Sequence, residues 1–121
     1  MKILIAESSM LIAERLTRTL NDLPGIQNIT HASDAAAVLC SIEGQRPDVT
    51  IVDPHIAGRE GVELLKNIKR RRPTVIVIVL SNCVSRVHGR KCLEAGADYF
   101  LDKSNEFDRV PELIQSIRGL S

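Results

Sequence analysis

Asp53 ends the apolar run Val49-Thr50-Ile51-Val52 and is followed by Pro54-His55-Ile56-Ala57-Gly58. A short β-rich run bounded by turn residues reads as a buried strand, which puts the Asp53 carboxylate at the strand's carboxyl end. Three more polar residues follow apolar runs in the same way. They are Glu7 after Ile3-Leu4-Ile5-Ala6, Ser81 after Val75 to Leu80, and Lys103 just past Tyr99-Phe100-Leu101-Asp102. Carboxylates serve as nucleophiles or cation ligands, hydroxyls donate to anionic oxygens, and an ammonium offsets negative charge. Such a set does chemistry only where the fold brings its members together.

The elements that must do so alternate along the chain. Lys2 to Ala6 suits a strand buried on both faces. Ser8 or Ser9 is placed to cap a first helix with Ile12, Ala13, Leu16 and Leu20 on its face, closed by Leu23-Pro24-Gly25. Ile26 to Ala32 is a second, less apolar strand, expected at an edge. Ser33 or Asp34 caps a second helix with the face Ala35, Val38, Leu39 and Ile42, and Glu43 to Pro47 reads as a loop. Gly61, Leu64, Leu65 and Ile68 mark a third helix that ends in Lys69-Arg70-Arg71-Arg72 and is stopped by Pro73. Those cations either complement the negative end of the helix or form a docking patch.

Val75 to Leu80, the most apolar stretch, is expected as a central strand. A fourth helix, about Val84 to Ala95, is weakened by Gly89, since a mid-helix glycine costs about 1 kcal/mol relative to alanine. Arg86, Arg90 and Lys91 make it basic, either as a solvated face or as a docking face for an acidic partner. Gly96 supplies the residue that closes this helix. Asp98 to Leu101 is a fifth strand. The last helix uses Val110, Leu113, Ile114 and Ile117 and begins near Asp108, because Pro111 is tolerated only in a first turn, with Asn105 to Phe107 as an irregular lead-in.

Five βα units predict an α/β fold, a doubly wound five-stranded parallel sheet of order 2-1-3-4-5 with helices on both faces, a flavodoxin-like three-layer sandwich. Its switch point falls between the first and third strands. That order brings Glu7, Asp53, Ser81 and Lys103 to one edge of the sheet. The length predicts one domain over residues 1–121. A formal net charge of +1 gives no electrostatic reason to bind nucleic acid or membrane. Cys40, Cys83 and Cys92 are an odd count without paired spacing, which suits three small, partly buried thiols in a reducing compartment. No apolar run approaches a membrane span and the start of the chain is too short for a signal peptide, so the expected location is the cytoplasm.

Four segments occur in order, one at each of four strand ends: Ile3-Leu4-Ile5-Ala6-Glu7, Ile51-Val52-Asp53 with Gly58 and Gly61 downstream, Val79-Leu80-Ser81, and Gly96-Ala97-Asp98-Tyr99-Phe100-Leu101-Asp102-Lys103. Through them the chain resembles a bacterial two-component response-regulator receiver domain, CheY-like and single-domain, over essentially its whole length. The resemblance implies that Asp53 is a phosphoacceptor, taking a phosphoryl group from a phosphohistidine on a sensor histidine kinase or phosphotransfer protein. Such transfer relies on positioning and electrostatics, and it asks for an exposed carboxylate, a divalent cation and donors to the moving oxygens. By resemblance, Lys103 pairs with a phosphoryl oxygen and the Ser81 hydroxyl bonds another in the active state. Glu7, Asp53 and the backbone carbonyl of His55 would ligate Mg²⁺, and Phe100 is the aromatic that changes rotamer on activation. The implied output surface is the fourth helix, fifth strand and fifth helix, docking a downstream protein. So read, the chain is a switch and not an enzyme.

The sequence departs from that pattern in places. Receivers usually carry two adjacent acids after the first strand, and here the pair is Glu7-Ser8. A serine hydroxyl is a much poorer ligand for a hard cation than a carboxylate, so Mg²⁺ is expected to be held weakly. Ala57 and Ser104 stand where receivers commonly carry proline, and the second bears on how firmly Lys103 is held. The alternative reading is a degenerate receiver, a protein-interaction module that works without phosphorylation. Asp53-Pro54-His55-Ile56-Ala57-Gly58 also spells the D-x-H-x-x-G motif of cobalamin-binding domains, but the chain lacks the later Gly-Gly. Cys40 to Arg46 fits the C-x₅-R loop of cysteine phosphatases, yet a helix precedes it where a strand is needed. His31 and His88 have no partners at metal-ligand spacing and read as surface histidines.

Overall fold

The computed structural model describes residues 1–83 and 85–119. Five strands lie among them: β1 (Lys2–Ala6), β2 (Asn28–Ala32), β3 (Val49–Val52), β4 (Ile76–Ser81) and β5 (Tyr99–Asp102). They form one parallel sheet in the order β2-β1-β3-β4-β5, with β2 at an edge as expected. The helices are α1 (Met10–Asn21), α2 (Ala35–Gln45), α3 (Gly61–Arg71), α4 (Arg86–Glu94) and α5 (Arg109–Gly119). A 3₁₀ segment, Pro54–Glu60, joins β3 to α3.

Side chains alternate across the strands and so build two cores. Leu4, Ala6, Val52, Val77 and Val79 face one way and pack with Val38, Ile42, Leu64, Leu65, Ile68 and Cys92, which places α2, α3 and α4 on that face. Ile3, Ile5, Val49, Ile51, Ile78 and Leu80 face the other way against Ala13, Leu16, Leu20, Val110, Ile114 and Ile117 of α1 and α5. Burial of each large aliphatic side chain stabilises the fold by about 1.5–3 kcal/mol, so packing on the sheet holds these short helices more than their propensity does.

Capping follows the sequence. The Oγ of Ser9 accepts the Ile12 N–H at the start of α1, an Asp34 oxygen accepts the Ala37 N–H at α2, and the Ser85 Oγ accepts the His88 N–H at α4. Several boundaries differ from expectation by a residue or more, and four changes bear on the site or the packing. β2 starts at Asn28 rather than Ile26. α2 runs on through Glu43-Gly44-Gln45 and ends with Arg46 in the left-handed region at φ 51°. The Asp53 carboxylate caps the chain after β3, folding what read as a loop into the 3₁₀ segment. β5 begins one residue late because the Asp98 side chain leaves the strand to accept the Val77 N–H at 2.8 Å and to pair with Lys69. Val84, placed in the fourth helix from sequence, lies outside the described residues, as do 120 and 121.

The basic end of α3 is put to internal use. Lys69 Nζ donates to the Val75 carbonyl, Arg70 to Asn67, Arg71 to Glu43, and Arg72 Nε to the Pro47 carbonyl. Lys69, Arg71 and Arg72 therefore tie the end of α3 to the residues leading into β4 and β5, to α2 and to the loop after α2, and the four cations do not form a free patch. Glycine is required at 61, where a Cβ would lie 2.7 Å from the Pro54 carbonyl oxygen. That close approach seats α3 directly behind the segment that follows Asp53. The thiols correct the sequence reading of three partly buried groups. Cys40 and Cys83 are exposed and only Cys92 is buried, because Cys40 falls on the face of α2 opposite Val38 and Ile42.

Candidate functional site

Strand register assembles the site. Ala6 pairs with Val52, so Glu7 and Asp53 leave neighbouring strands at the same level. Ser81 pairs with Asp102, and the Lys103 N–H donates to the Ser81 carbonyl at 2.9 Å. From there the Lys103 side chain reaches across the sheet edge. Its Nζ lies 2.9 Å from Glu7 Oε2 and 2.5 Å from Asp53 Oδ2. Side-chain exposure is 8% for Lys103, 5% for Glu7 and 11% for Asp53. Burial opposes the ammonium charge, but the hydrogen bonds to Asp53 and Glu7, and then the charges of both, outweigh it and hold Lys103 above its usual pKa. Two carboxylates against one ammonium leave a net negative charge that attracts a further cation.

The remaining oxygens are held by backbone. Glu7 Oε1 accepts the Ser9 N–H at 3.2 Å, and Asp53 Oδ1 accepts the His55 N–H at 2.9 Å. The His55 imidazole is exposed, with Nδ1 3.9 Å from Asp53 Oδ1. A cavity of about 390 Å³ opens above, bordered by Glu7, Ser9, Asp53, His55, Asn82 and Lys103 among others. The chemistry expected from sequence asks for an exposed carboxylate. Asp53 is instead mostly covered in this state, since Lys103 lies on one oxygen and the other is turned to the His55 N–H.

The structure thus brings Glu7, Asp53, Lys103 and His55 together and leaves three other expected residues apart from them. Ser81 is at the right edge but fully buried, and its Oγ accepts the Cys83 N–H at 3.0 Å, so in this state it serves its own loop. Ser8 is exposed and does not border the cavity. Phe100 packs half-buried under α4, its ring 5.7 Å from that of His88 in an edge-on contact at 75°.

Two residues without a role in the sequence reading belong to the site's frame. Asn82 borders the cavity, and its Oδ1 accepts the Ser104 Oγ–H at 3.2 Å, which links the loops after β4 and β5. Its position next to Ser81 was the available signal. His31 is exposed, as read from sequence, and its Nε2 also lies 2.8 Å from the Glu7 carbonyl oxygen and tethers the turn after β1. The loop that presents Lys103 is tied down without proline. The Ser104 N–H and the Asn105 side chain both donate to the Asp102 carboxylate, and the Asp102 N–H donates to Glu106.

The Lys103 contact shows that Glu7 and Asp53 are close enough to share one positive charge, so the pair fits a hard cation in kind. Among the described residues no three His, Cys, Asp or Glu side chains cluster as a metal site. Ser8 supplies no carboxylate, and carbonyl and water oxygens are left to complete the shell of any such ion.

Comparison with known proteins agrees with this geometry. The family model described as response regulator receiver domain matches residues 3–115. A protein-glutamate methylesterase/protein-glutamine glutaminase of Koribacter versatilis is 31% identical over 106 residues, which cover 87% of this chain and 29% of that protein. The response regulator GacA of Pseudomonas aeruginosa is 26% identical over 117 residues, covering 97% of this chain and 53% of GacA. The chain therefore spans about half or less of the length of these relatives. The isolated REC domain of RcsB from Salmonella enterica serovar Typhimurium, solved in the presence of phosphomimetic BeF3⁻, matches with a TM-score of 0.89 at 19% identity, over 98% of this chain and 88% of that one, a likeness of fold. Strand order, edge residues and the match over residues 3–115 concur, and the chain belongs to the response regulator receiver domain family of two-component signalling.

Proposed function

We propose that residues 1–121 act as one receiver unit in which Asp53 accepts a phosphoryl group, and that the chain works as a switch and not as an enzyme. The observation that carries this reading is the Lys103 ammonium held jointly by Asp53 and Glu7 at the sheet edge. A carboxylate oxygen of Asp53 attacks phosphorus as the bond from phosphorus to the donor's imidazole nitrogen breaks, and the imidazole leaves. Lys103 then exchanges a carboxylate for a phosphoryl oxygen, which keeps its charge paired throughout. The Ser81 hydroxyl turns from accepting the Cys83 N–H to donating to a second phosphoryl oxygen and draws the loop after β4 inward. Vacated space beside Ser81 lets Phe100 change rotamer, a population shift toward an active state.

Receiver domains generally bind Mg²⁺ at the phosphorylation site. Here Glu7, Asp53 and the carbonyl of His55 would hold it, weakly for want of an acid at Ser8, and the ion would supply charge that offsets the phosphoryl oxygens. Receivers interact with histidine kinases or phosphotransfer proteins and with downstream effectors. We assign the output face to α4, β5 and α5, with a protein target and no direct contact to nucleic acid or membrane. Among the described residues no helix is long and apolar enough to cross a membrane. The three free cysteines support a cytoplasmic setting. Asp53, Ser81 and Lys103 are all kept at the edge, which favours this reading over the degenerate alternative. The test is intact mass after incubation with acetyl phosphate. One phosphoryl group should add to the protein and none to Asp53→Asn, and no addition, or equal addition to both, would refute the assignment.

A further inference from the structure

The Lys103 ammonium sits at the end of a flexible four-carbon stem, so where it lies depends on the backbone that carries it. On one side that backbone is fixed by the sheet, where the Lys103 N–H donates to the Ser81 carbonyl at 2.9 Å. On the other side β5 ends and residues 103–108 turn toward α5. β5 is an edge strand, and its outward N–H groups have no strand to receive them. Hydrogen bonds close this turn on itself. The Asp102 N–H donates to Glu106 Oε1 at 2.9 Å, and the Glu106 N–H donates back to the Asp102 carbonyl at 2.7 Å. The Asp102 carboxylate accepts the Ser104 N–H at 2.9 Å and the Asn105 Nδ2 at 2.8 Å. Arg109 Nη1, at the start of α5, donates to the second Glu106 oxygen at 2.7 Å. A further bond, from Ser104 Oγ to Asn82 Oδ1, ties the turn to the loop after β4. The ammonium itself is held by Asp53 and Glu7, whereas Asp102 and Glu106 turn their oxygens to the turn and to Arg109.

We propose that Glu106 is a positioning residue for phosphoryl transfer, which together with Asp102 fixes the stretch of chain from which Lys103 reaches Asp53. The inference rests on the reading of Asp53 as phosphoacceptor and goes beyond it by giving a role to side chains that do not bond the ammonium. It also accounts for Ser104. Receivers commonly carry proline at this position, which fixes φ and has no N–H. The turn in this chain uses that N–H for the Asp102 carboxylate and the Ser104 hydroxyl for Asn82, so the two ways of stiffening it exclude each other. Ser104→Pro therefore loosens Lys103 here instead of steadying it.

The ¹⁵N signal of the Lys103 ammonium in the full, unphosphorylated chain tests this, because a buried ammonium held by two carboxylates exchanges its protons slowly with water. Glu106→Ala and Ser104→Pro should speed that exchange at least about fivefold and slow phosphorylation of Asp53 by acetyl phosphate about tenfold. Glu106→Gln keeps an oxygen for the Asp102 N–H and should recover most of both. Asn105→Ala, on an exposed side chain, removes one bond of the set and should give a smaller change of the same sign, which keeps the test valid if a larger change unfolds the protein. A merely structural role would lower the unfolding midpoint and leave ammonium exchange in the folded protein as it was. Unchanged exchange in Glu106→Ala overturns the proposal whatever the phosphorylation rate, and so does slower exchange in Ser104→Pro or no recovery in Glu106→Gln. Faster exchange in the variants, with no phosphoryl uptake by the parent chain, sinks the phosphorylation reading alone and leaves Glu106 assigned to Lys103.

Discussion

Lys103 Nζ lies 2.5 Å from Asp53 Oδ2, so the side chain proposed to accept a phosphoryl group is held at rest by the one proposed to steady that group. With Glu7 on the same ammonium, the three groups form one buried cluster in which the two carboxylates hold the Lys103 charge.

Removing the cation should therefore cost more than a surface ion pair. Lys103→Met leaves Glu7 and Asp53 facing each other without a counter-charge, a change expected to lower stability by about 3–5 kcal/mol. Adding Asp53→Asn to that variant should restore a large part of the loss, because one buried charge then replaces two. Urea unfolding of the four members of the cycle measures the coupling. Strictly additive losses would mean that the ammonium and the carboxylate do not depend on each other.

Ser8 is exposed, so an acid can be placed there without disturbing the core. Ser8→Asp supplies a third carboxylate and should tighten Mg²⁺ by about tenfold or more. Amide-shift titration of both proteins gives the two affinities directly. If they are equal, the serine is not what limits cation binding.

Thr50 sits fully buried in β3, and its Oγ1 has no hydrogen-bond partner among the described residues. A desolvated hydroxyl without a partner is unfavourable, and valine has the same shape. Thr50→Val should raise stability by about 1 kcal/mol in thermal or urea unfolding. A loss of stability instead would show that the hydroxyl is satisfied.

The thiols should separate by reactivity. In the native protein at neutral pH a disulfide reagent should titrate Cys40 and Cys83 and spare Cys92 until unfolding. Burial, with the nearby charge of Cys83 adding to it, raises the Cys92 thiol above its usual 9.0. The unfolded chain then gives up that proton first. The contribution of Cys92 to stability is full below pH 9.0 and is lost as pH rises through the higher folded value, a slope that Cys92→Ala should remove. Three equally fast thiols would contradict the packing of α4 on the sheet.

The fold was legible because its signals are local and repeated. Apolar runs of strand length alternate with helical faces, and each run stops on the residue that marks the sheet edge, so strand order and the meeting of Glu7 with Asp53 followed from topology. What was missed depends on side chains reaching across the fold. The bond from Lys103 to Glu7 spans 96 positions, a reach that no periodicity encodes. Gly44 reads as a breaker, yet α2 continues through it, with Glu43 paired to Arg71 and the turn made two residues later by Arg46. Asp98 reads as strand and instead uses its carboxylate to hold Lys69 and the Val77 N–H. Ser81 was placed at the correct edge, but the direction of its hydroxyl depends on the state of the loop that follows it.

Asp53 is proposed as a working phosphoacceptor whose occupancy is felt at Phe100. Amide NMR shifts on titration with Mg²⁺ and then beryllofluoride, which stands in for the phosphoryl group on the carboxylate, test it most directly against an Asp53→Ala control. Shifts are expected at Asp53, Ser81 and Lys103 that spread to Phe100 and α4 and vanish in the variant. Silence at these residues up to tens of millimolar Mg²⁺, roughly the weak end of carboxylate sites, would contradict it.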